Sequence, residues 1–341
     1  MNAVHFVVPA GIDDRALPSG GNAYDRRIAR GLAAVGWTVQ LHEVPGPWPR
    51  PDARSLGALA AAVRGIPDGA VALLDGLVAS PAPGVLTPEA ARLRLVVLVH
   101  MPLGQGAADA GAREREGAVL RAAVSVVTTS AWARRALLEL YGLPGDRVHV
   151  ARPGVDPAGL APGTETAGAL LSVAAVIPGK GHDLLLDALA PLTGSRWQCR
   201  CVGSLERDPE FAARLRRRLL DGGMEGRVRF VGPQAGADLA RSYAAADVLV
   251  LPSRAETYGM VVAAEVGGVP EALGHGGDGT RPGLLVRPGD PAALRDALRS
   301  WLEDAALRRR LRRAARQRRA ALGDWPSTAS AVADFLLAAA R

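Results

Sequence analysis

Of the 41 basic residues in the chain, Lys180 is the only lysine. Where a plain positive charge suffices, this chain uses arginine. A retained lysine therefore points to a position that needs a compact, strongly hydrated ammonium. Lys180 lies in Ile177-Pro178-Gly179-Lys180-Gly181-His182-Asp183, a glycine-rich turn between an apolar strand and an apolar-periodic helix. A lysine there suits a phosphate near a helix N-terminus. Asparagine is almost as scarce, with Asn2 and Asn22 alone. Asn22 follows Ser19-Gly20-Gly21, a second glycine-rich strand-to-helix turn.

Other chemistries are poorly served. Cys199 and Cys201 stand at i and i+2 of a strand, an awkward geometry for a mutual disulfide, and read as buried thiols. No Cys-x-x-Cys, His-Glu-x-x-His or Asp-x-Asp occurs, so no metal site is expected. A Gly-x-Ser-x-Gly elbow and a Walker loop are missing too. Neither half opens with a Gly-x-Gly-x-x-Gly turn followed by an acidic residue, which excludes a dinucleotide dehydrogenase.

The elements that must position these loops alternate. Apolar runs of the parallel-strand type fall at His5–Pro9, Trp37–Leu41, Val71–Asp75, Leu95–His100, Ser125–Thr129 and Val148–Ala151. Helical spacing at Ala23–Val35 and between later strands makes this half a doubly wound α/β domain. A Pro/Gly-rich linker follows from Arg152 to Thr164. Strands then resume at Ala169–Val173, Cys199–Val202, Val228–Val231, Asp247–Leu251 and Leu284–Val286, with helices at Asp183–Leu189, Pro209–Leu220 and Ala237–Ala245. The expected fold is α/β: two Rossmann-like, doubly wound domains facing a central cleft at their strand C-termini. The boundaries read as 1–152, 153–322 and a C-terminal helix, 323–341, that crosses back to the N-terminal domain.

The chain has 341 residues, 48% of them hydrophobic and 22% charged. That composition excludes a disordered protein, and no apolar run is long enough to span a bilayer. The expected location is the cytoplasm. The formal charge of +7 has one address. Nine arginines against Glu303 and Asp304 lie between Arg299 and Arg319, in a helical run that is apolar on one face. This helix, 299–319, reads as a solvated face or as a patch giving weak contact with anionic membranes, peripheral in character. Aromatics are only 4%, too few for a stacking surface, so no nucleic-acid partner is expected.

Taken in order, several segments resemble one family. Arg152-Pro153-Gly154-Val155-Asp156, Pro178-Gly179-Lys180-Gly181, Ala246 to Ser253, Glu256-Thr257-Tyr258-Gly259-Met260 and Glu265 to Glu271 are similar to the retaining glycosyltransferases of the GT-B fold, family four. The resemblance implies a nucleotide-sugar donor on the C-terminal half and a small or lipid-linked acceptor on the N-terminal half. Lys180 matches the lysine that meets the donor diphosphate. Glu256 matches the first of two paired glutamates that hold donor sugar hydroxyls. The backbone N–H groups of Gly259, Met260 and Val261 would face sugar and phosphates. Gly20 and Gly21 match the N-terminal glycine loop, and His100 a histidine near the reacting sugar, with Asn22 beside it on the acceptor side. Fixed cations and helix ends would stabilise the leaving phosphate without metal or cofactor.

Two departures stand out. The arginine expected shortly before the lysine is Ala175. The second glutamate should fall at residue 264, which is alanine; Glu265 is one step on, about 100° round a helix. Val261-Val262 runs directly into Ala263-Ala264-Glu265, so about ten residues of helix and strand are missing relative to the family pattern. A gap in the C-terminal sheet, or its refilling, is the structural expectation. The functional readings are a retaining, metal-independent hexosyltransferase, a catalytically weak sugar-nucleotide-binding or scaffold protein, and a nucleotide-sugar epimerase whose carboxylates match no motif here.

Overall fold

Apolar strands that read as buried on both faces need helices on both faces, and each half of the chain supplies them. The computed structural model describes residues 2–14, 19–105, 110–254, 256 and 268–341. The chain divides into two compact units, one built from 1–13, 19–156 and 323–341, the other from 14–18 and 157–322.

The first unit runs β1 (Ala3–Pro9), α1 (Gly20–Ala34), β2 (Thr38–Val44), α2 (Ala53–Arg64), β3 (Val71–Asp75), α3 (Gly76–Ala79), α4 (Pro83–Glu89), β4 (Arg94–Val99), α5 (Ala110–Ala122), β5 (Ser125–Thr128), α6 (Ala131–Tyr141) and β6 (Val148–Val150). Its six parallel strands lie in the order β2-β1-β3-β4-β5-β6. Alternation along β4 sorts the core: Leu95, Val97 and Val99 pack on one face, Val96 and Leu98 on the other. The order reverses between β1 and β3, and at such a switch point the loops after the two strands diverge and leave a crevice.

The second unit runs β7 (Ala169–Val173), α7 (His182–Leu189), β8 (Gln198–Val202), α8 (Pro209–Asp221), β9 (Val228–Phe230), α9 (Gly236–Ala244), β10 (Val248–Leu249), α10 (Val269–Leu273), α11 (Pro291–Glu303) and α12 (Ala305–Arg319). Its parallel sheet has the order β10-β7-β8-β9, with the switch between β7 and β10. Cys199 and Cys201 are buried on β8 as free thiols, with their Sγ atoms 4.0 Å apart. The last helix, α13 (Trp325–Ala339), packs in the first unit, where Val332, Ala333 and Leu336 join Ile28 and Leu32 of α1. The close approach needs Gly31, whose added Cβ would sit 2.4 Å from the Ala329 Cβ.

Two expectations about the second unit are corrected. Leu284–Val286 is not a strand, and within the run Asp247–Leu251 the strand is only Val248–Leu249, with the Asp247 and Val250 N–H groups donating to Ala169 and Leu171 of β7. The reason is cooperative: a strand exists by pairing, and among the described residues no strand pairs with Leu284–Val286. A cavity of about 220 Å³ lies there, lined by Val248, Leu249 and Val250 on one side and by Leu284, Val286, Leu298 and Trp301 on the others. Successive strand residues point to opposite faces, so a cavity that touches three in a row wraps the edge of β10. Val261 to Val266, the residues expected to refill such a space, lie outside the described residues.

The arginine run is also not one helix. Asp304 breaks it and caps α12, its Oδ1 accepting from the N–H groups of Ala306 (2.8 Å) and Leu307 (2.9 Å). Arg308 then donates to the carbonyls of Trp301 and Leu302 at the end of α11. Arg312 reaches Asp247, whereas Arg309, Arg310 and Arg316 stand exposed on α12. Among the described residues, no helix is long and apolar enough to cross a membrane.

Candidate functional site

At the switch point of the second unit, the loops after β7 and β10 meet. The chain leaves β7, makes a 3-10 turn at Pro178–Lys180, and enters α7 through Gly181 at φ +68°. Only glycine fits: a Cβ on residue 181 would lie 2.0 Å from the Pro252 carbonyl oxygen. Lys180 Nζ donates to Glu256 Oε1 at 2.5 Å, and Ser253 Oγ donates to the same oxygen at 2.9 Å. The two side chains are 25% and 12% exposed, so the pair is reachable by a ligand. Lys180 and Glu256, 76 residues apart in sequence, are thus brought together. Gly259, Met260 and Val261 lie outside the described residues, as do Ala264 and Glu265.

Arg254 holds this arrangement from behind. Its guanidinium donates to both oxygens of Asp183 (2.9 and 2.7 Å) and to the Pro178 carbonyl (2.7 Å), while its N–H donates to Gly179. Burial opposes the charge on Asp183, yet the Arg254 hydrogen bond and charge, together with backbone N–H groups, outweigh it and keep the carboxyl below its usual range. Arg254 is therefore a strut for the lysine loop and is already occupied. His182, the first residue of α7, is buried with both ring nitrogens unpartnered; burial lowers its pKa to about 4 and keeps the ring neutral.

In the first unit, the switch between β1 and β3 gathers a second group. Ser19 caps α1, its Oγ accepting from the Asn22 N–H at 3.0 Å, so Gly20, Gly21 and Asn22 form the first helical turn rather than a loop before it. His100 follows β4 directly. The Gly21 backbone lies against its ring, because an added Cβ would be 3.2 Å from Cδ2. Tyr24 meets the ring edge-on, with centroids 5.3 Å apart. His100 Nε2 and Asp25 Oδ1 are 2.8 Å apart. Asp75 ends β3, and its Oδ1 accepts from the Leu77 N–H at 2.7 Å. Burial would depress the imidazole pKa, but the Asp25 charge and hydrogen bond, with Asp75 behind, raise it to about 9. Burial and the Asp25 charge push the Asp75 carboxyl well above the carboxylate range.

Asp25 and Asp75 escaped the sequence reading. The signal for Asp25 was a carboxylate on the apolar stripe of α1, three and seven residues before the buried Ile28 and Leu32. Among the described residues, Asp25, Asp75 and His100 are the group of three metal-capable side chains whose ligand atoms lie within 4.8 Å of one another. One N–H already points at Asp75 Oδ1, and the imidazole at Asp25 Oδ1, an arrangement that suits hydrogen bonds better than a cation. A further carboxylate, the buried Glu116 of α5, accepts from Ser80 Oγ and from the N–H groups of Leu103 and Gly104, and also from the Tyr141 hydroxyl. It pins the segment that follows His100.

The chain matches two family models. Residues 163–318 match the glycosyl transferases group 1, and residues 4–158 match glycosyltransferase family 4. A D-inositol 3-phosphate glycosyltransferase from Catenulispora acidiphila is 32% identical over 318 residues, covering 84% of this chain and 69% of the relative. Its counterpart from Kineococcus radiotolerans is 36% identical over 266 residues, covering 67% of this chain and 60% of the relative. Among solved structures, the sucrose-phosphate synthase of Thermosynechococcus elongatus superposes with a TM-score of 0.78 at 21% identity over 98% of both chains. Anabaena HepE in complex with UDP-glucose gives 0.77 at 18% identity, over 99% of this chain and 100% of that one. At these identities the likeness to solved structures shows the fold.

Proposed function

The chain belongs to the group 1 glycosyl transferases of family four, with the GT-B fold, and from that premise we propose that it moves a hexose-type sugar from a nucleotide-diphosphate sugar to a hydroxyl acceptor with retention of configuration. The observation that carries the reading is the Lys180–Glu256 pair at the β7/β10 switch point, where α/β sheets hold ligands. Breaking the anomeric C–O bond leaves its electron pair on the diphosphate and positive charge on the sugar. Lys180 leaves Glu256 to neutralise the diphosphate, and Glu256, released, accepts from sugar hydroxyls. The acceptor oxygen attacks the face the phosphate departs from, and its proton passes to a phosphate oxygen. The products are the glycoside and a protonated nucleoside diphosphate.

His100 belongs to the sugar end of this reaction, with Gly20, Gly21 and Asn22 in the turn beside it. HepE was solved with UDP-glucose, and the two relatives are named for D-inositol 3-phosphate, so these are the first donor and acceptor to try. Family membership favours transfer over epimerisation.

The test is release of nucleoside diphosphate from a panel of nucleotide-sugars, with and without acceptor. Acceptor-dependent release that persists in excess EDTA is expected, because a lysine supplies the cationic stabilisation. Activity that vanishes in chelator and returns with Mg²⁺ or Mn²⁺ would contradict the metal-free mechanism. An epimerised donor without release would contradict transfer.

A further inference from the structure

We propose that Asp25 and Asp75 form a buried carboxyl pair holding one proton between them, and that Asp25 thereby acts as a positioning residue, fixing Nε2–H of His100 and keeping the imidazole doubly protonated so that Nδ1–H is the group offered to a ligand. That the ligand is the donor sugar or its phosphate rests on the reading above; the proton arrangement does not.

The geometry makes the case. Asp25 is fully buried and Asp75 is 2% exposed. Two carboxylates and an imidazole each bring one polar atom within 4.8 Å of the others, in a place where two like charges could not both be kept. Asp25 Oδ1 takes the imidazole N–H. Asp25 Oδ2 is buried and has no hydrogen-bond partner as long as both carboxyls are counted as anions. A proton on Asp75 removes that orphan, because the acid O–H then has an acceptor within reach. Asp75 Oδ1 is committed to the Leu77 N–H, which leaves its other oxygen to carry the proton. One charge then remains on the pair, and the imidazolium balances it.

The ring is held on its other sides by neutral groups. Gly21 of α1 lies against Cδ2, and Tyr24 gives its edge, its hydroxyl donating to the Ala151 carbonyl at 2.8 Å. The titratable groups that face His100 are therefore Asp25 and Tyr24 from α1 and Asp75 from β3, and burial raises the Tyr24 pKa, so it stays neutral. The His100 side chain is 21% exposed, which leaves a path to Nδ1.

The experiment is a pH titration of the full chain labelled with ¹⁵N-histidine, with the His100 signals assigned by a His100→Gln sample. Wild type is expected to stay doubly protonated at His100 to about pH 8. Asp25→Asn should lower the midpoint by about two pH units, a hundredfold loss of proton affinity. Asp75→Asn should leave it above about pH 8, because the amide N–H donates to Asp25 where the acid O–H did. Equal shifts in both variants would show two anions and overturn the shared proton. So would a wild-type midpoint near the ordinary histidine value, which decides the matter even if Asp25→Asn fails to fold. Zn²⁺ or Mn²⁺ raising the wild-type Tm but not that of Asp25→Asn would make the cluster a cation site and also overturn it. In the transfer assay, Asp25→Asn should move the alkaline fall of kcat down in pH by the same interval. The expected NMR shifts together with no turnover on any donor would uphold the proton arrangement and refute the transfer reading.

Discussion

Lys180→Ala is expected to lower kcat/KM by about 100- to 1,000-fold, the range seen when one preorganised charge is removed from a developing anion. Melting should change little. The Lys180–Glu256 pair is partly exposed, where ion pairs contribute at most about 1 kcal/mol, and Ser253 Oγ still donates to the glutamate. Lys180→Arg should recover only about a tenth of the lost rate, because a planar fork with delocalised charge cannot put that charge where the compact ammonium sat. Arg254, on the same loop, is committed to Asp183 and Pro178. Steady-state kinetics on the three proteins check this; unchanged kinetics in the alanine variant would remove the lysine from the mechanism.

Inserting a helix, a glutamate at its family position and a strand between Val262 and Ala263 is expected to tighten donor binding at least tenfold. The cavity at the β10 edge offers about 220 Å³ of mostly apolar-lined space, in which an inserted strand would bury apolar side chains. Each such side chain contributes about 1.5–3 kcal/mol, so the inserted protein should also melt several degrees higher. The added glutamate would grip the donor ribose with charge-assisted hydrogen bonds of about 1.5–3 kcal/mol each, and a tenfold gain needs about 1.4 kcal/mol. Calorimetric titration of both proteins with UDP-glucose decides it. Equal affinity would show that the ribose is already held by other groups, and would favour a binding site that tolerates the missing segment.

The sequence was informative where a local pattern decides structure. Ala169–Val173 forms a strand at the bounds read from its apolar run, and the turn after it needs glycine because Gly181 passes against Pro252. Lys180 could be singled out because its type is unique in the chain and its loop follows a strand at a switch point. Readings that depended on neighbours failed. Leu284–Val286 has strand composition, but among the described residues no strand pairs with it. The arginine run has continuous helical spacing, yet Asp304 satisfies two backbone donors by starting a new helix. Asp25, Asp75 and His100 are 25 to 75 residues apart, and no spacing rule joins them. They meet because β3 and β4 are adjacent and Gly76 lets their ends approach, since a Cβ added there would lie 3.0 Å from the Leu98 carbonyl oxygen. Long-range order of that kind is set by sheet topology, which the residues of any one segment do not encode.

The central claim, sugar transfer from a nucleotide-diphosphate donor with retention, is tested most directly by following the anomeric proton during turnover. UDP-glucose has an α anomeric bond, so incubation with D-inositol 3-phosphate, monitored by ¹H NMR, should convert the donor doublet into a new α-glucoside doublet with equimolar UDP. A panel of other nucleotide-sugars, run in the same way, covers a different donor. A β-linked first product from any α donor, or no loss of any donor at high enzyme concentration, would contradict the account.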